Sequence, residues 1–332
     1  MARAHVISVV NMKGGVGKTT LSVSLAEALA VMARKKVLVV DLDAQASCTF
    51  ALAGADGFSE ILANDRHTHR LFRAFYGSLE DAPRPPDQED SKEGREIARS
   101  FLAWGGKRKA LAKDERPIHA RDLVHKDASF VDAAKRLHLI GSIPELQLVE
   151  RDILYRLGRM TQNQQSAEAM IADHFKARLD ELAPAYDVIL VDCPPGISAL
   201  TEAAVRASRS VLAPVTPEYL SYLGLEAFVT RVVRKLAVEG RFRGRAFAVL
   251  NRVQTTPGHD EWRREITELA DAMGEDLHMF PKEIEQSPDL ARAVEVPKDG
   301  RRIPIREKYG AAIPTLEDLA ARVLDVTEGV HA

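Results

Sequence analysis

The chain has 332 residues, 45% of them hydrophobic and 28% charged, with a net charge of −2. That length allows one large domain or two ordinary ones with an ample core, and the balanced charge excludes a globally basic nucleic-acid binder, so any DNA contact must come from a local patch. The two cysteines, Cys48 and Cys193, are too few for a disulfide framework or a cysteine-rich metal site and fit a reducing cytoplasm.

The first strand is expected at Val6–Val10, apolar on both faces. It begins almost at once, so no signal peptide is expected, and no apolar run approaches the roughly 18 residues of a spanning helix. Then comes Lys13-Gly14-Gly15-Val16-Gly17-Lys18-Thr19-Thr20, followed by a helix to about Ala33 with Leu21, Leu25, Leu29 and Met32 on one buried stripe. Strand, glycine-rich turn and helix is the context of a phosphate-binding loop. The glycines permit positive φ and bring backbone N–H groups close to a ligand, and the helix N-terminus favours an anion. In such a loop Lys18 reaches the β/γ-phosphates and the Thr19 hydroxyl binds Mg²⁺.

Val37–Asp41 is a second buried strand, completing a βαβ unit with parallel strands. It runs into Asp41-Leu42-Asp43-Ala44-Gln45 at the strand end where ligands of open α/β sheets sit. In extended geometry Asp41 and Asp43 would point the same way. Residues from about 54 to 136 read as a charged, partly flexible insertion in one 1–332 domain. The segment Glu80–Glu96 has linker-like composition, and Phe101–Lys113 could form a short basic helix with Trp104.

Leu137–Ile140 returns to strand character, and a helix is expected from about Ala167 to Leu182. Val188–Val191 followed by Asp192 fits a buried central strand ending in a magnesium-associated carboxylate, Asp192. The prolines of Asp192-Cys193-Pro194-Pro195-Gly196 fix φ in the loop beyond. After a strand at Ser210–Val215, Thr216 and Pro217 read as N-cap and first residue of a helix to about Glu239. Its end and the next loop hold Arg231, Arg234, Lys235, Arg241, Arg243 and Arg245 against the single acid Glu239. A strand ending in Asn251-Arg252, a helix at Asp260–Met273 and a strand at Leu277–Pro281 follow. The last helix, Thr315–Glu328, pairs an apolar stripe with an acidic polar face, so it reads as packed on the core and not as a membrane anchor.

Position 12 is Met where the ordinary loop pattern has glycine, and Lys13 opens the loop instead. This resembles the deviant Walker A motif of the ParA/MinD family, closest to ParA-type (Soj-like) partitioning ATPases. The likeness extends to Asp41–Gln45, to Asp192–Gly196, and to Phe280–Ala293, over Val6–Gln45 and roughly Leu137–Val326. It implies a doubly wound, mostly parallel sheet with helices on both faces, the P-loop NTPase fold. It also implies ATP and Mg²⁺ as ligands, an ATP-dependent homodimer with Lys13 contacting the partner's nucleotide, and weak ATP hydrolysis. By the same resemblance Gly14 to Thr20 cradle the nucleotide, Asp43 orients the attacking water, Asp41 supports the Mg²⁺ and switch network, and Asn251 meets the adenine edge. The basic residues 231–245 would bind DNA without sequence preference, needing only clustered cations. A ParB-like or cargo-adaptor protein would stimulate hydrolysis, with the protein on the nucleoid and off the membrane. Since the chain starts at the nucleotide fold, no N-terminal DNA-reading domain is expected. The alternatives are a MinD-like regulator of cell division or an ATP-dependent enzyme of the same fold.

Overall fold

Short runs of valine, isoleucine and leucine, buried on both faces, build the centre of the molecule. The computed structural model describes residues 3–72, 119–161 and 164–328. The expected linker Glu80–Glu96 and basic helix Phe101–Lys113 lie outside them. Eight strands form one sheet: β1 (His5–Val9), β2 (Val37–Asp41), β3 (Leu137–Ile140), β4 (Val188–Asp192), β5 (Ser210–Val215), β6 (Arg245–Val253), β7 (His278–Met279) and β8 (Ile284–Glu285). Their order is β3-β2-β4-β1-β5-β6-β7, with β8 also on β6, and every strand pair is parallel.

Helices cover both faces, as a parallel sheet buried on two sides requires. One face packs on α1 (Lys18–Val31), α2 (Ser47–Ala63) and a later helix, Ile313–Glu328. The other packs on α3 (Leu146–Thr161), α4 (Gln164–Leu182), α5 (Ala199–Ala207), α6 (Tyr219–Phe228), α7 (Arg234–Val238) and α8 (Pro257–Met273). Two short helices, α9 (Pro288–Ala291) and α10 (Ile305–Tyr309), precede the last, α11 (Ile313–Glu328).

Several expectations change. The helix α1 is not amphipathic: residues Leu21 to Ala30 are all buried, Glu27 included. The reason is that α11 folds back over the side facing away from the sheet, burying Leu316, Leu319, Ala320 and Val323. Glu27 is accommodated by Lys308 Nζ at 2.8 and 2.9 Å, Ser129 Oγ at 2.7 Å and Tyr309 OH at 2.5 Å. The segment read as an insertion starts inside α2, and its flanks supply core residues Leu71, Phe72, Leu123, Val124 and Val131. Thr216 and Pro217 do not open a helix. Glu218 N–H donates to the Thr216 carbonyl at 2.7 Å, a tight turn, and α6 starts at Tyr219 with Glu218 as its cap residue. A π-helical turn at Val229–Val233 separates α6 from α7. Thr256 instead caps α8, accepting from His259 N–H at 3.3 Å, with Pro257 at its first turn.

Candidate functional site

The phosphate loop joins β1 to α1 at the C-terminal edge of the sheet. Register brings Asp192 level with both Val9 and Asp41, so β1, β2 and β4 deliver their ends to one place. Gly15 and Gly17 adopt φ of 80° and 90°, conformations closed to most side chains. A Cβ at Gly14 or Gly15 would meet nothing within 4 Å, because both border a cavity of about 570 Å³ that Lys18, Thr19, Asp43 and Asn251 also line. Lys18 is 7% exposed, and its Nζ donates to the Lys13 carbonyl at 3.1 Å. Burial lowers its pKa, while Asp192 and Asp43 oppose that shift.

Asp192 accepts from Thr19 Oγ1 at 2.9 Å and from Ser22 Oγ at 2.7 Å. Ser22, one turn into α1, is a partner the motif did not single out. Burial raises the Asp192 pKa despite these two hydrogen bonds. Hydroxyl and carboxylate oxygens beside an open backbone cradle suit a small hard cation. Thr19 and Asp192 would therefore hold Mg²⁺, which would supply charge neutralisation for a bound triphosphate.

Asp41 and Asp43 do not point the same way. The chain turns at the strand end, where Asp43 N–H donates to Asp41 Oδ1 at 3.0 Å. Asp41 is fully buried, and its other oxygen accepts from Thr49 N–H at 2.9 Å and Thr49 Oγ1 at 2.7 Å. Burial and the nearby Asp192 charge raise its pKa. The side chain thus braces the segment from Asp41 to Gln45 from behind and does not line the cavity. Asp43 is half-buried and reaches the cavity.

Asn251, at the end of β6, donates from Nδ2 to the Val16 carbonyl at 2.7 Å. One amide hydrogen and its carbonyl are left to meet a base edge. Arg252 donates from Nη1 to the Gly15 carbonyl at 2.9 Å. The ammonium of Lys13 lies beside Glu218 of the same chain, not over the loop.

The basic cluster divides. Arg234 pairs with Asp276 at 2.6 Å, Lys235 with Glu202 at 3.3 Å and Arg241 with Glu239 at 3.1 Å. Arg231, Arg243 and Arg245 are exposed and have no carboxylate partner among the described residues. Arg209, which the sequence did not single out, joins the last two. Arg245 N–H donates to the Arg209 carbonyl at 3.0 Å, and Arg209 is also exposed, with no acid partner among the described residues. These three arginines sit at the N-terminal edge of β5 and β6. That is about 15–20 Å from the phosphate loop, the length of a five- or six-residue strand.

A profile of the CobQ/CobB/MinD/ParA nucleotide binding domain matches residues 7–298, and the chain belongs to this family. Among its relatives are the chromosome partitioning protein ParA of Myxococcus xanthus, 27% identical over 67% of this chain and 55% of that protein, and the sporulation initiation inhibitor protein Soj of Bacillus subtilis, 27% identical over 71% and 70%. The chain spans 43% and 55% of the first two relatives, about half their length. Similar solved structures include an ATP complex of Cyanothece McdA, with TM-score 0.62, 18% identity, and 100% and 98% of the two chains covered. Another is pNOB8 ParA bound to nonspecific DNA, with TM-score 0.62, 19% identity, and 98% and 99% covered. At such identities the likeness is one of fold.

Proposed function

We propose that this chain is a ParA-type ATPase that dimerises on ATP, binds duplex DNA without sequence preference and positions DNA or a protein cargo. The observation that carries the reading is the convergence of Lys18, Thr19 and Asp43 on one cavity beside open backbone N–H groups, with the buried Asp192 behind Thr19 at 2.9 Å. Lys18 offsets phosphate charge, Thr19 and Asp192 hold Mg²⁺, and Asp43 orients the attacking water, so hydrolysis rests on positioning and charge stabilisation. Lys13 leaves Glu218 to meet the partner subunit's nucleotide.

The DNA surface consists of Arg209, Arg243 and Arg245 with Arg231, exposed cations that no acid neutralises among the described residues. None of the first three can touch the nucleotide from the opposite edge of the sheet. Nucleotide control therefore works by pairing two such patches in the dimer, which multiplies two weak contacts. A ParB-like or cargo-adaptor protein would stimulate hydrolysis and release the DNA. The relatives named ParA and Soj, and the DNA-bound pNOB8 ParA, support this reading. The MinD-like alternative has less support, because α11 spends its apolar stripe on the core.

The test is ATP turnover and molar mass by light scattering, with ATP, ADP or no nucleotide. A dimer seen with ATP alone, with slow turnover abolished in Lys18→Ala, supports the reading. Turnover by a chain that stays monomeric would refute the dimer cycle.

A further inference from the structure

Consecutive residues of a strand point to opposite faces of the sheet, yet Asn251 and Arg252 both reach the phosphate loop. The backbone shows how. Asn251 pairs with Ile284 and Val253 with Glu285, so Arg252 is an extra, unpaired residue on β6. It is a bulge, the device that re-aims a side chain next to a site. Its φ is 56°, in the left-handed region that an arginine rarely occupies.

The two side chains take hold of two successive peptides. Arg252 holds the Gly15 carbonyl at 2.9 Å and Asn251 the Val16 carbonyl at 2.7 Å. In a planar trans peptide the N–H points opposite to the C=O. Drawing both carbonyls toward β6 therefore turns the Val16 and Gly17 N–H groups away from it. Neither N–H donates to a protein acceptor among the described residues. The fit is close: a Cβ on Gly17 would come within 2.5 Å of Asn251 Nδ2.

We infer that Arg252 is a positioning residue of the nucleotide site: its bulged backbone delivers the guanidinium to the Gly15 carbonyl and, with Asn251, presets the N–H groups that receive the phosphates. The inference rests on the reading of Gly14–Thr20 as a nucleotide phosphate loop. Asn251 sets which base is accepted as well as the loop geometry; Arg252, which also borders the cavity, acts through its hold on the Gly15 carbonyl.

Arg252→Gly is the informative variant. Glycine adopts φ near 56° without strain, so the side chain is removed while the backbone is kept. Affinities for ATP, ADP and GTP would be measured by titration for wild type, Arg252→Gly, Arg252→Lys and Asn251→Ala, with the melting temperature of each nucleotide-free protein. The expected result for Arg252→Gly is an unchanged or higher melting temperature. Its affinity falls about tenfold, the size of one hydrogen bond from a charged donor, by the same factor for all three nucleotides. Arg252→Lys recovers part of the loss, and Asn251→Ala also changes the ATP-to-GTP ratio. Wild-type affinity in Arg252→Gly overturns the inference, as does a loss that tracks a lower melting temperature. Failure of the wild type to bind any nucleotide overturns the phosphate-loop reading itself.

Discussion

Lys13 and Glu218 form an ion pair within one chain, and Ser221 Oγ donates to the same carboxylate oxygen at 2.9 Å. The Lys13 ammonium lowers the Glu218 pKa, so the carboxylate is charged at neutral pH. In the proposed dimer the pair competes with the contact Lys13 makes across the interface. Both side chains are partly exposed, so the pair stabilises the unpaired state by no more than about 1 kcal/mol. Glu218→Gln should therefore lower the protein concentration at which the ATP dimer forms by a few-fold, and Lys13→Ala should abolish that dimer. Light scattering across a dilution series reads both.

Thr49 links the start of the switch segment to the end of β3. Its Oγ1 donates to Asp41 at 2.7 Å and accepts from Ser142 N–H at 2.8 Å. Thr49→Val keeps the shape and removes both bonds, leaving a buried carboxylate and a buried N–H short of partners. The expected loss is about 1–3 kcal/mol, measured by denaturant unfolding, with ATP affinity little altered because Thr49 does not line the cavity.

The Glu27–Lys308 pair is fully enclosed, with side chains 0% and 3% exposed. Removing one partner of such a pair strands the other charge, at about 3–5 kcal/mol. Lys308→Met should destabilise by that order, and Glu27→Gln by less, since the amide carbonyl still accepts from Lys308 and from one of the two hydroxyls, Ser129 or Tyr309. Chemical denaturation distinguishes the two.

His5 is held neutral. Burial, then the Arg209 charge, lowers its pKa from 6.5 to about 4, and its Nε2 lies 3.0 Å from Ser210 Oγ. A histidine with a folded pKa below its unfolded value contributes stability that is intact above pH 6.5 and is lost as pH falls toward 4. The full effect is roughly 3 kcal/mol. His5→Gln should shrink the stability difference between pH 7 and acid, read from denaturation midpoints at each pH.

Much of this fold was legible because its signals are local. Val37–Asp41 and Ser210–Val215 are strands at the residues expected, and Lys18, Thr19 and Asp192 meet as their motifs imply. What the sequence hid depends on distant packing. Nothing near Glu27 signals Lys308, 281 residues away. The acids that neutralise Arg234 and Lys235 lie 42 and 33 residues away. Arg209 joins Arg245 only through the β5–β6 register. Asp41 and Asp43 part because one backbone turn overrides the alternation of a strand. Arg252 carries no signal in the sequence, because a bulge has no signature when its left-handed residue is not glycine.

In the proposed cycle, nucleotide state governs DNA affinity. The most direct measurement is binding to random-sequence duplex DNA with ATP, ADP or no nucleotide, over a salt series, for wild type and Lys18→Ala. Tight binding is expected with ATP alone, weakening steeply with salt as released counterions require, and lost in Lys18→Ala; the ATPase cycle then controls the DNA contact. Equal affinity in all three nucleotide states, or no binding with ATP at low salt, would contradict it.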